Sequence, residues 1–156
     1  MFEIIEKKGQ TYINLTKNDS CEISTCPFID TNSDNKYNPD DDDKPIILGD
    51  NDYVLFCIAS PSGKIYFKKI LTKDDYNNEN VLTMKLYPND TINMQPFSYL
   101  FSFAYMPNKG GDCYTYATGI FNLLPVIATV KDLNDTFATD VKQPKDINES
   151  GDANGN

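Results

Sequence analysis

Residues 30 to 44, DTNSDNKYNPDDDDK, hold the densest set of oxygen ligands in the chain, six of them aspartates. A calcium loop of the EF-hand kind places oxygen donors at alternate positions from its first residue. It needs a sharp turn at position 6 and ends on a bidentate glutamate at position 12. Counted from Asp30, the chain offers Asp30, Asn32, Asp34, the Lys36 carbonyl, Asn38 and Asp41. Hard oxygen ligands in that spacing suit calcium. The match is partial. Position 6 is Asn35, which tolerates left-handed backbone but is not glycine. Position 12 is the shorter Asp41, Pro39 stiffens the loop, and no helical pattern flanks it. The run Asp40 to Asp43 repels itself and reads first as an exposed stretch. The expectation is a solvated acidic loop, with calcium as the alternative that a measurement can separate from it.

A second set with chemical potential is aromatic. FSYLFSFAY (97–105) and CYTYATGIF (113–121) bring Tyr99, Tyr105, Tyr114 and Tyr116 close in sequence. Facing outward, these four would offer amphipathic rings to another protein or to a sugar. The simpler alternative fills the core with the inner rings and pairs the outer ones across strands. That alternative is favoured.

Composition removes much other chemistry. The chain has no histidine and no arginine, since all 14 basic residues are lysine. The commonest general base and metal ligand is therefore missing, as is the bidentate clamp for phosphates and carboxylates. No nucleophile–base pair or glycine-rich phosphate loop can be assembled, and an enzyme is not expected. No cofactor is implied beyond the calcium alternative. The net charge of −9 argues against nucleic acid or an anionic membrane as partner. The four cysteines, Cys21, Cys26, Cys57 and Cys113, lack zinc-site spacing and read as reduced, buried small hydrophobes. No signal peptide or membrane span is read, so synthesis in the cytoplasm is expected. The N-x-[ST] matches at Asn14, Asn18, Asn89, Asn134 and Asn148 then follow from asparagine richness alone.

These residues must be positioned by strands. Alternation and β-formers predict strands over 11–15, 20–29, 52–59, 64–71, 80–87, 97–106, 113–124 and 126–133, with a turn at SPSG (60–63). Leu82, Met84 and Leu86 share one face, which is the core face. PNDTINM (88–94) predicts one short helical turn capped by Asp90 or Thr91. Short strands at this spacing predict an all-β sandwich over residues 1–133. Residues 134–156 are polar and predict a tail, flexible unless a partner orders it.

Four segments then line up: YINLTKNDSCEI (12–23), LGDNDYVLFCIASPSGKIYFKKIL (48–71), LTMKLYPNDTINMQPFSYLFSFAY (82–105) and YTYATGIFNLLPVIATV (114–130). Together they resemble a group of small phage and prophage structural proteins, similar to the N-terminal domain of phage upper baseplate proteins. The group's T-x-G-D-T-like turn stands here as Thr16, Asn18, Asp19 and Ser20. Its P-x-D-T is present as Pro88, Asp90 and Thr91. The glycine before its Y-x-Y strand is replaced by Gln95–Phe97, and the second tyrosine by Phe101. The resemblance implies an immunoglobulin-like β-sandwich and a structural role in a virion, as capsid decoration, head fibre or baseplate and tail component. It implies other virion proteins as partners, in multiple copies. It also implies that residues 30–37 are a hairpin tip and 38–47 an acidic insertion. The length of the chain favours a small accessory protein over a complete baseplate subunit. A carbohydrate- or receptor-binding module using the tyrosines and calcium is the competing expectation.

Overall fold

Alternating apolar residues become the inner face of one large sheet. The computed structural model describes residues 1–108 and 112–126. Among them the chain is mostly β, and its helical elements are 3₁₀ turns. Strands β1 (Phe2–Lys7), β2 (Gln10–Thr16), β6 (Tyr53–Ala59), β7 (Ile65–Leu71), β9 (Phe97–Met106) and β10 (Tyr114–Leu124) form a six-stranded sheet. Its order is β1-β2-β10-β9-β6-β7. Neighbours are antiparallel except β2 and β10, which run parallel. Two short ladders complete the described part: β3 (Cys21–Thr25) with β8 (Leu82–Leu86), and β4 (Phe28–Ile29) with β5 (Lys44–Pro45). No helix among the described residues is long and apolar enough to cross a membrane.

The core lies on one face of the large sheet. Ile13 and Leu15 of β2, Val54, Phe56 and Ile58 of β6, Tyr99, Phe101 and Phe103 of β9, and Phe121 and Leu123 of β10 are buried there. Ile23, Leu82, Met84 and Leu86 of the β3–β8 ladder join them in a single cluster. The period-2 reading of 80–87 therefore holds. Fully burying a side chain of this size contributes roughly 1.5–3 kcal/mol. At the centre, Gly119 leaves no room on β10 for a side chain. A Cβ there would run into the Thr11 carbonyl oxygen and the Phe101 ring, whose Cζ would lie at 2.7 Å.

Turn chemistry fixes the connections. β1 and β2 are joined by Lys8 and Gly9 at φ 53° and 75°, the left-handed pair that a tight two-residue hairpin demands. Gly63 closes the expected SPSG turn at φ 95°, its N–H donating to the Ser60 carbonyl at 2.9 Å. The predicted short turn is a 3₁₀ helix at Pro88–Thr91. There Asp90 acts from inside the turn, accepting from the Tyr87 N–H at 2.8 Å. Asp52 ties two loops together ahead of β6. It accepts from the Asn108 N–H at 2.9 Å and from the Gly49 N–H at 2.8 Å.

Three expectations need correction. The span 20–29 is not one strand: it breaks at Cys26–Pro27, because proline has no N–H for a ladder, and its halves pair with β8 and β5. No strand is predicted over residues 2–7, where β1 lies. Of the cysteines, Cys21 is buried and Cys57 half-buried, but Cys26 and Cys113 are exposed. The predicted strand over 126–133, past Val126, and the predicted tail lie outside the described residues.

Two outcomes follow. Gly119→Ala should cost about 1–3 kcal/mol from overpacking, read as a lower melting temperature. The Asn108 N–H, then the Gly49 N–H, hold the Asp52 carboxyl below its usual range. A depressed native value contributes stability that is complete above the unfolded value, about 3.9, and is lost as pH falls through the native one. The melting-temperature deficit of Asp52→Asn should therefore be full at neutral pH and shrink progressively below about pH 4.

Candidate functional site

The acidic segment is a closed loop on a two-residue stem. β4 and β5 pair Phe28 with Pro45 and Ile29 with Lys44, so residues 30 to 43 form the tip. Tyr114 on β10 pins its entry: the hydroxyl donates to the Asp30 carbonyl at 3.0 Å and lies 2.6 Å from the Asp30 nitrogen, whose N–H it accepts. Phe28 packs edge-on against Tyr116 and Tyr37, with ring centroids 5.9 and 5.7 Å away.

Inside the loop, carboxylates organise the backbone. Asp30 accepts from the N–H groups of Ser33 at 2.8 Å, Asn35 at 2.7 Å and Asp34 at 3.3 Å. The chain turns through Ser33 and Asn35 at φ 62° and 63°, so Asn35 takes the left-handed conformation expected of position 6. Asp34 accepts from the Lys36 N–H at 2.9 Å. Asp43 is only 4% exposed and closes the loop from the other end. It accepts from the Thr31 N–H at 2.8 Å, the Thr31 hydroxyl at 3.1 Å and the Asn38 N–H at 2.9 Å. The Thr31 N–H is the main cause that holds its carboxyl below the usual range.

Carboxylate oxygens of Asp30, Asp34 and Asp43 lie within 4.8 Å of one another. Three hard anionic donors at this separation would supply part of the six to eight oxygens that calcium takes. Two of the residues expected from sequence are therefore brought together, with Asp43 as the third. The other three form a hydrogen-bonded group beside the cluster: Asp41 accepts from the Asn38 amide at 2.9 Å and the Asn32 amide at 3.1 Å, and the Asn32 amide also reaches Asp34 at 3.3 Å. Asn38 also caps the 3₁₀ turn Pro39–Asp41, accepting from the Asp40 N–H at 3.1 Å. That turn displaces Asp41 and delivers Asp43, a shift the fixed EF-hand spacing does not anticipate.

The outward tyrosine face is not formed. Tyr99 and Tyr105 share strand parity with Phe101 and Phe103, so they point to the core side. Tyr114 pairs with Tyr105 on that side, and a bulge between Thr115 and Ala117 turns Tyr116 the same way. Tyr99 is 3% exposed and Tyr116 1%. Tyr99 donates to the Gln95 carbonyl at 2.7 Å, and Tyr116 shares a hydrogen bond with the Thr25 hydroxyl at 2.8 Å. Burial pushes the Tyr116 hydroxyl far above its ordinary value. Tyr105 and Tyr114, at the end of the sheet, are half-buried.

No protein-family model matches the sequence, and no curated protein matches it.

The backbone N–H groups already satisfy much of the acidic cluster. The expected outcome is that thermal melts with calcium and with chelator coincide, while Asp43→Ala lowers the melting temperature in both by opening the loop. A calcium-induced rise that Asp43→Ala abolishes would establish the metal site instead, since a ligand specific to the native state stabilises it by mass action.

Proposed function

We propose that this chain is a bacteriophage virion structural protein, an immunoglobulin-like accessory module that packs on other virion proteins in multiple copies. The observation that carries the reading is the strand pairing. β3 with β8, and β6 flanked by β9 and β7 with β10 beyond β9, follow the B–E and C′–C–F–G neighbours of a variable-type immunoglobulin sandwich. The Tyr99 hydroxyl bonded to the carbonyl four residues upstream, near the start of β9, corresponds to the tyrosine corner of that fold. These pairings support the fold implied by the resemblance of residues 12–130 to the phage upper baseplate group, and the role comes with that resemblance. The mechanism is passive: a rigid sheet presents a face and edges to its neighbours.

A second reading, a carbohydrate- or receptor-binding module dependent on calcium, draws support from the Asp30, Asp34 and Asp43 cluster. It loses the tyrosine face it called for, since Tyr99 and Tyr116 are core residues.

Immunogold electron microscopy of purified particles, with an antibody against this chain, tests the first reading. Label on the particle is expected. Label spread over the head assigns a decoration or head-fibre role, and label at the tail tip a baseplate role. Unlabelled intact particles would overturn the virion assignment and return weight to the binding module.

A further inference from the structure

The outer face of the six-stranded sheet carries an apolar row that the core does not use. Cross-strand register aligns Ile5, Tyr12, Ile120, Leu100, Ala59 and Ile65 through all six strands. Tyr12, Ile120, Leu100 and Ala59 each adjoin a buried residue of their own strand, so the row points away from the core. Ile5, Leu100 and Ile65 are 38%, 43% and 54% exposed. Hollows of about 570 Å³ beside Ile5 and Tyr12, and of about 430 Å³ beside Ile120, Leu100 and Ala59, line the row.

The flanking rows differ in charge. On one side Glu3, Asn14, Asn122 and Ser98 form a connected polar ladder. The Asn14 amide donates to Glu3 at 2.9 Å, the Asn122 amide to Asn14 at 2.8 Å, and the Ser98 hydroxyl to Asn122 at 2.7 Å. On the other side stand Lys7 on β1 and, farther across, Ser102, Cys57 and Lys68. An acid thus sits on one flank of the row and lysines on the other.

We propose that this face pairs with the same face of a second copy of the chain, in a two-fold dimer whose axis runs along the apolar row. That axis keeps the apolar residues of both copies together. It also lays Lys7 against the second copy's Glu3 at the β1 end of the row, while Lys68 on β7 lies beyond the ladder. The face is self-complementary, as an isologous interface must be. Six strands at the usual spacing, with roughly seven residues each, present about 550 Å² per copy. The pair then covers about 1,100 Å², enough to clear the ~1,000 Å² expected of a specific interface. The inference concerns self-association and stands independently of the virion reading.

Sedimentation velocity of the full chain over a concentration series tests it, with circular dichroism melts verifying that each variant folds. A monomer–dimer equilibrium is expected. Leu100→Asp, which buries an unpaired charge at the centre of the row, should raise the dissociation constant at least about 100-fold. Lys7→Glu should raise it about tenfold, and adding Glu3→Lys should restore it, because the swap rebuilds the pair across the axis. If Leu100→Asp fails to fold, Ile65→Asp on the edge strand replaces it. A chain that is monomeric at every concentration overturns the proposal and leaves the face to a different protein. A dimer indifferent to both aspartate variants, or one that the charge swap does not restore, overturns it as well.

Discussion

The packing of the Phe101 ring against Gly119 is the constraint that a side chain on β10 would break at the centre of the sheet. β10 is held between a parallel neighbour, β2, and an antiparallel one, β9. The space a side chain at Gly119 would need is taken by the Phe101 ring on one side and the Thr11 carbonyl on the other. The inner faces of three strands thereby become one continuous surface. Ile23 and the apolar residues of β8 pack into the same cluster, so the second ladder takes its place from that surface.

A chain without arginine has to settle its many acids in another way. Here six of them act as acceptors for backbone N–H groups where the chain turns. Asp30, Asp34 and Asp43 do so in the long loop, Asp52 ahead of β6, and Asp75 and Asp90 in 3₁₀ turns. Charge-assisted bonds of this kind are stronger than neutral ones. The ion pairs among the described residues, Lys73 with Asp50, Lys36 with Glu6 and the N-terminus with Asp19, are exposed and contribute little. Aspartate therefore serves this fold as a builder of turns more than as a carrier of charge.

The strands that alternate were legible in the sequence because one buried face leaves a period-2 trace. β9 begins and ends at Phe97 and Met106, where alternation placed it. β1 leaves no such trace: only Phe2 of its residues is even partly covered, and its position rests on a hairpin whose signal was the glycine after Lys8. The tyrosines stood open to two readings because tyrosine is at home on either face, and the favoured one, core filling, is where Tyr99 and Tyr116 lie. Their parity with Phe101 and Phe103 was the available clue, while the bulge that turns Tyr116 inward leaves no local mark. The acidic loop was legible as a loop. Its carboxylate cluster was legible only in part, because a proline-initiated turn shifts the third member from Asp41 to Asp43, beyond any fixed template.

The parallel pairing of β2 with β10 also dictates an order of assembly. The Asn14–Asn122 bond joins residues 108 apart. Closing so long a loop costs entropy before the contact returns any stability, and folds built on such pairings form slowly. The β1–β2 hairpin leaves the ribosome well before β10, the strand that covers its free edge. Until then that edge is an open template for pairing with another chain. The glutamates along β1 charge the other edge of the hairpin, which leaves the uncharged β2 edge as the one that waits for β10.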